Sequence, residues 1–302
     1  MTQNKSTAIE ATSRDLTSDI TVLGVAVVWG SSYVAMQEVG KHLDVQTFLA
    51  ARFLLSIPIL VYLFSSSLKK ITKTEIGVGC FLGIFLFAIL SLETTGVKYT
   101  SAANAGFLIT VSVVLVPLFE RVIGGVKKTF TAYFLVTLAL FGCYLLSRPT
   151  SDGVTFVLGD YIILGAAVIR GLQIFLFGHM TKNRNLSTTN ITLVELTLVA
   201  IFATLASVFT GHASGVSFDM IPGYVWLIIL YLGVIGTSFA FLAQINAAQR
   251  TSSTRVALIL STEPVFAAFF AWVIAGETIS EIQLVGGALI FCAAFFGRVT
   301  EA

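Results

Sequence analysis

Three ionisable residues fall deep inside apolar stretches of this 302-residue chain: Arg170 in "LGAAVIRG", Glu195 in "TLVELTLV" and Glu263 in "LSTEPVFAAFFAWVIAGE". A charge near the centre of a bilayer costs at least about 2.5–3.5 kcal/mol on insertion scales, so such groups face a partner or a watery cavity. Arg170 reads as a structural ion pair with Glu195 or Glu263, or as an anchor for a substrate carboxylate. Glu263 reads as a proton carrier, or as a structural or gating group beside Pro264; the second reading is preferred. Arg52, Glu93 and Arg255 stand nearer the ends of their stretches, where long side chains can snorkel to the interface.

Other groups that could handle a solute are polar or aromatic residues at similar depth: Trp29, Ser31, Ser32, Tyr33, Gln37, Asn104, Gln173, Tyr231 and Trp272. Trp29, Tyr33 and Gln37 fall four residues apart and share one helix face, which is either a pore wall or a packing face. Trp272, near a span end, reads as part of an interfacial belt. Pro58, Pro117 and Pro264 each remove a backbone donor and bend a helix, as fixed bends or as hinges.

Several chemistries have no motif to support them. The chain has no GxxxxGK[ST] phosphate loop, no HExxH and no GxSxG, and its three histidines and three cysteines form no cluster. No cofactor, metal, nucleic-acid partner or enzymatic activity is expected. An intramembrane hydrolase stays a remote alternative, and a channel or sensor a nearer one.

The elements that must position these residues follow from composition. Hydrophobic residues make up 56% of the chain and charged ones 11%, with a mean hydropathy of +0.91, against about 25% charged in an ordinary soluble domain. Runs of about 20 apolar residues, the length of a membrane-crossing helix, recur ten times: 20–39, 46–66, 75–93, 101–120, 129–147, 156–178, 189–210, 222–244, 254–274 and 281–298. The fold expected is an all-α integral membrane protein. Residues 1–19 read as a polar cytoplasmic tail without the features of a cleaved signal. Twelve Lys and Arg residues fall on the N-terminal side of the membrane and three, Lys41, Lys98 and Arg148, on the other, with Arg52, Arg170 and Arg255 set aside. That asymmetry puts both termini in the cytoplasm.

An internal repeat organises the spans. "LGVAVVWG" at 23–30 aligns with "LGAAVIRG" at 164–171 at an offset of 141. "YTSAANAG" from Tyr99 aligns with "RTSSTRVA" from Arg250 at an offset of 151, a register that pairs Ser112 with Glu263, Phe119 with Phe270 and Gly125 with Gly276. The units are 20–147 and 156–298. With five spans each, the second unit enters the membrane inverted, a signature of secondary transporters with a site between the halves. Close-packing pairs of small residues recur, among them Gly79 with Gly83 and Ala102 with Gly106.

At "WGSSYVA", "ARFLL", "KYTSAANAGFL", "QRTSSTRVALILSTEPVFAAFFAWVIAGE" and "QLVGGALIF" the sequence resembles the EamA family of ten-span permeases in the drug/metabolite transporter superfamily. The resemblance implies a carrier moving a small organic metabolite, such as an amino acid, its derivative or an amine or drug-like compound, across the cytoplasmic membrane. Alternating access with outward movement is expected, and uptake is the alternative. It also implies a cavity between the first four spans of each unit, where Trp29, Tyr33, Asn104, Arg170, Gln173 and Tyr231 are the lining candidates. Glu263, Pro264, Glu195 and Pro117 are the gating or coupling candidates. Proton coupling is left open, as is the choice between monomer and homodimer. The family's Gly-Glu ending occurs once, at Gly276–Glu277, with Val126 at the matching place in the first unit, so the two halves are expected to be functionally unequal.

Overall fold

The computed structural model describes residues 2–125, 130–146, 157–181, 184–211, 221–250, 256, 259–278 and 280–300, and among them every regular element is a helix. The first half holds α1 (Thr2–Gly40), α2 (Val45–Leu63), the single turn α3 (Ser65–Leu68), α4 (Lys73–Val97), α5 (Ala102–Ile109), α6 (Val111–Val122) and α7 (Phe130–Leu146). The second holds α8 (Leu158–Thr181), α9 (Thr188–Phe209), α10 (Gly223–Gly233), a π-helical segment (Val234–Phe239), α11 (Ala240–Arg250), α12 (Glu263–Val273) and α13 (Glu281–Thr300). Among the described residues, six stretches are long and apolar enough to cross a membrane: Leu16–Gly40, Val45–Leu63, Lys73–Val97, Leu158–Thr181, Thr188–Phe209 and Gly223–Gln244. Shorter apolar helices, α12 among them, accompany these. α1 continues N-terminally through the segment expected as a tail, and its apolar part starts at Leu16.

Helix ends need their own partners, because the first four amides of a helix have none within it. Asp44 accepts from the amides of Gln46 and Thr47 at the start of α2. Thr72 and Glu75 exchange bonds in a capping box at α4, Ser101 caps α5 and Ser187 caps α9. Asn190 and the Ser187 amide also donate to Glu75, tying the starts of α4 and α9 together.

The packing repeats under exchange of the two halves. α1 lies against α12 and against the α10–π–α11 rod, while its counterpart α8 lies against α6 and α4. α2 packs on α9 and α7 on α13, pairings that exchange leaves unchanged, and α5 packs on α12. Details obey the same rule. A Cβ on Gly30 would stand 2.6 Å from Phe266 Cβ, and one on Gly171 would stand 2.8 Å from Leu115 Cβ; these partners are 151 residues apart and the two glycines 141. α6 and α12 each end three residues before a left-handed glycine, Gly125 at φ 66° and Gly276 at φ 72°, the backbone that glycine adopts freely at a helix C-terminus. The GxxxG pair on α4 receives α9, whose Val194 and Glu195 leave no space for a side chain at Gly79 or Gly83.

Two spans expected to be continuous are broken. Thr110 separates α5 from α6, and Ser261–Thr262 form a turn before α12; residues 110 and 261 correspond in the repeat. Glu263 and Pro264 are therefore in the first turn of α12 and not in mid-helix. There a proline forfeits no helical hydrogen bond, and a carboxylate meets the positive end of the helix dipole.

Candidate functional site

A polar junction is buried where α1 and α4 of the first half meet α8 and α12 of the second. The Tyr33 hydroxyl donates to Glu263 Oε1 at 2.6 Å. Arg170 Nη1 approaches Glu93 Oε2 at 3.8 Å, and its guanidinium stands 6.0 Å from the Trp29 ring centre. Glu263 and Tyr33 are also within electrostatic reach of Arg170. The expected partner of Arg170 is thus corrected. Glu93 is the close one, Glu263 is nearby and mainly bonded to Tyr33, and Glu195 lies elsewhere.

Arg52 and Glu93, expected near the ends of their spans with side chains able to snorkel, are instead enclosed in protein, 6% and 8% exposed. Arg52 Nε donates to Thr237 Oγ1 at 2.9 Å and Nη2 to the Gly236 carbonyl at 3.4 Å. The same carbonyl accepts from Trp29 Nε1 at 3.0 Å. It lies in the π-helical segment, and such bulges gather at functional sites. Thr237 and Ser238 bond back to the carbonyls five residues earlier, and Ser56 also donates to the Gly233 carbonyl. Glu93 lies within electrostatic reach of Arg52 as well as Arg170. The junction opposes two guanidinium groups to two carboxylates, which answers the cost of burying them.

Gln173 and Glu195 form a separate pair, Gln173 Nε2 donating to Glu195 Oε2 at 3.0 Å, while Glu195 Oε1 is buried without a hydrogen-bond partner among the described residues. Asn104 is in the first turn of α5, its amide bonded to Ser101. Pro117 is in α6. Arg255, named with the charged residues, is outside the described residues.

A cavity of about 910 Å³ opens between α1, α10 and α12, at the face of the bundle where α1 and α12 end and α10 begins. That size suits a small-molecule site. Its walls are mainly apolar, with Val27, Val34, Ile228, Phe270 and Ile274, and Ser31 and Tyr231 face each other within it at 2.6 Å between hydroxyls. Glu38, Lys41, Tyr224 and Glu277 form its rim. Tyr224 donates to Glu38 at 2.8 Å, and Lys41 pairs with Glu38 at 2.6 Å, which raises the Lys41 ammonium above its ordinary range. Burial raises the Glu277 carboxyl, opposed by the amides of Ala102 and Ala103, the first of which donates to it at 3.3 Å. The second-half Glu277 thereby caps the first-half α5.

Of the lining candidates, Tyr231 borders this cavity, and Trp29, Tyr33, Asn104, Arg170 and Gln173 do not. Trp29, Tyr33 and Gln37, expected to share a face that is either a pore wall or a packing face, reach three different elements: the Gly236 carbonyl, Glu263 and the Thr100 carbonyl. Sequence reading missed the central placing of Arg52 and Glu93 and the rim role of Glu277. The first two carry a signal, since each is a charge within an apolar run. Their depth depends on helices that overshoot the apolar window, as α4 does by running to Val97.

The chain is similar to several known proteins. A transporter of uncharacterised function from Archaeoglobus fulgidus is 28% identical over 281 residues, covering 92% of this chain and 84% of its own. The uncharacterised transporter YyaM of Bacillus subtilis is 24% identical, covering 90% of both chains, and a chloroplastic WAT1-related protein of Arabidopsis thaliana is 26% identical over 90% of this chain and 67% of its own. A crystal structure with 16% identity superposes with a TM-score of 0.68 over 95% of this chain and 99% of its own, and so shares the fold. The EamA-like transporter family matches twice, at residues 16–148 and 157–297. With two copies of that unit packed against each other around a buried polar junction, this multi-pass membrane protein belongs to the EamA-like transporter family.

Proposed function

We propose that the protein is a secondary carrier that exports a small organic metabolite across the cytoplasmic membrane by alternating access, through ten membrane crossings with both termini in the cytoplasm. The observation that carries this reading is the cavity between α1, α10 and α12, which reaches Ser31 and Tyr231 beside the junction of Arg52, Glu93, Arg170 and Glu263. Paired units around one cavity are the architecture in which two halves rock about a site near the midplane. The Lys and Arg asymmetry supports an outward-opening cavity. Its apolar walls, hydroxyl pair and rim of mixed charge suit an amphipathic solute of amino-acid or amine size. In this reading Tyr231 contacts the solute, Trp29 and Arg170 hold the junction behind it, and Glu263 with Pro264 forms the bend on which α12 moves.

The test is a panel of metabolites and amine compounds scored for tolerance and efflux in cells with and without the gene. It is followed by counterflow of the labelled hit in proteoliposomes. Saturable counterflow is expected. A large conductance that does not saturate would mean a channel, and a panel without any change in flux or toxicity would refute export.

A further inference from the structure

The repeat sets the open cavity against a place in the other half that ought to match it and is filled. Exchange carries the open cavity's α1 and α12 walls onto α8 and α6. Val34 and Glu38 of α1 then correspond to Phe175 and His179 of α8 at the 141 offset, and Phe270 of α12 to Phe119 of α6 at the 151 offset. The close approaches at Gly30 and Gly171 hold this register in three dimensions. Where Val34 and Phe270 border open space, their counterparts close on each other. Phe175 is 5% exposed, lies 6.5 Å from Phe119 between ring centres and stacks on His179 at 5.6 Å with 26° between planes. The Phe119 ring also comes within 3.4 Å of a Cβ placed on Gly171, and the Phe175 ring within 3.3 Å of one on Gly124.

We infer that a second, latent vestibule lies between α4, α6 and α8 at the opposite face of the bundle, closed in this state by the Phe119–Phe175–His179 stack and opened when the two halves exchange conformations. The inference rests on the carrier reading and adds to it the location of the second opening and the residues that shut it. At corresponding positions the open side carries Val34 and the closed side Phe175, whose larger ring fills the space that Val34 borders. The latent vestibule differs in chemistry too. It has the His179 imidazole where the open one has the Glu38 carboxylate, so the two openings differ in the ionisable group a solute meets.

The test uses the full chain with Cys80, Cys143 and Cys292 replaced by alanine and single reporters at the corresponding positions, Ser31→Cys and Leu172→Cys. A membrane-impermeant maleimide is applied to right-side-out and inverted vesicles. With the stack intact, the Ser31→Cys thiol labels from one face and the Leu172→Cys thiol is protected from both. Phe119→Ala with Phe175→Ala raises labelling of the Leu172→Cys thiol from the opposite face by about 2- to 12-fold, the range set by losing one aromatic pair. Phe175→Val, which gives the closed side the side chain of its open counterpart Val34, removes one ring only and raises labelling of the Leu172→Cys thiol from the same opposite face; this arm decides if the double alanine variant does not fold. Unchanged labelling in the arm that folds, or a rise from the same face as the Ser31→Cys thiol, would overturn the vestibule. Counterflow on the parent protein is scored separately: its absence would count against the carrier reading and leaves the labelling to judge the vestibule.

Discussion

Tyr33→Phe deletes one oxygen and leaves the ring, so it isolates the bond that ties α1 to the first turn of α12. That bond is 2.6 Å long, between groups 1% and 7% exposed. Stranding a buried polar partner costs about 1–3 kcal/mol. Because Arg170 remains within electrostatic reach of Glu263, a loss near the middle, about 2 kcal/mol, is expected. Glu263→Gln keeps an oxygen that Tyr33 can bond, so its loss is smaller, about 1 kcal/mol, as for a neutral hydrogen bond. The double variant should then lose about 1 kcal/mol less than the sum of the singles, the coupling of residues in contact. Reversible unfolding in mixed micelles titrated with a denaturing detergent measures all three. If Tyr33→Phe falls within about 0.5 kcal/mol of the parent, the range of an unremarkable surface change, or if the cycle is additive, the bond does not hold the bend.

Further perturbations probe the rest of the structure. Gly30→Val and Gly171→Val should each cost about 1–3 kcal/mol or more by overpacking, because backbone or Cβ atoms of the facing helix block the new side chain; thermal melting in detergent reads this, and tolerance at either site would break the symmetric packing described. Glu195→Gln should shift stability by no more than about 1 kcal/mol, since the amide oxygen can still accept from Gln173 and the amide nitrogen replaces the other oxygen without adding a charge to the buried site. A loss above about 2 kcal/mol in the same melts would show that the carboxylate itself is engaged. Tyr224→Phe breaks the contact of α10 with Glu38 at an exposed rim, so stability should shift by less than about 0.5 kcal/mol while maleimide labelling of the Ser31→Cys thiol from its accessible face rises.

The amino-acid sequence carried the repeat's landmarks, because they are written in residues whose size or backbone is irreplaceable. Gly30 with Gly171 and Gly125 with Gly276 mark the same helix crossing and the same helix end in each half. The interior they frame was less legible. Hydropathy measures how far a residue stands along an apolar run, not which way its helix turns it, so Arg52 and Glu93 looked peripheral although both face inward. The breaks at Thr110 and Ser261–Thr262 are hidden for a related reason. A threonine hydroxyl that bonds a nearby carbonyl, as Thr110 does to Gly106 and Thr262 to Ile259, lets a helix stop inside an apolar stretch without a polar run to announce it. The π-helical segment has no period of its own to detect, and its partners are nearly two hundred residues away.

Those distances in sequence are also intervals of time. Arg52 and the Gly236 carbonyl that receives it are 184 residues apart, which at about 5–20 residues per second of synthesis is a delay of roughly 10–40 s. For that interval the guanidinium is made but its acceptor is not. The first half cannot mature on its own, since α1, α2 and α7 have their main packing surfaces on helices not yet translated. The nascent chain must therefore be held, by the insertion machinery or by water at the membrane surface, until α10 arrives. A stop codon or frameshift after the first repeat would leave an insertable fragment with unmet polar groups, a natural substrate for membrane quality control.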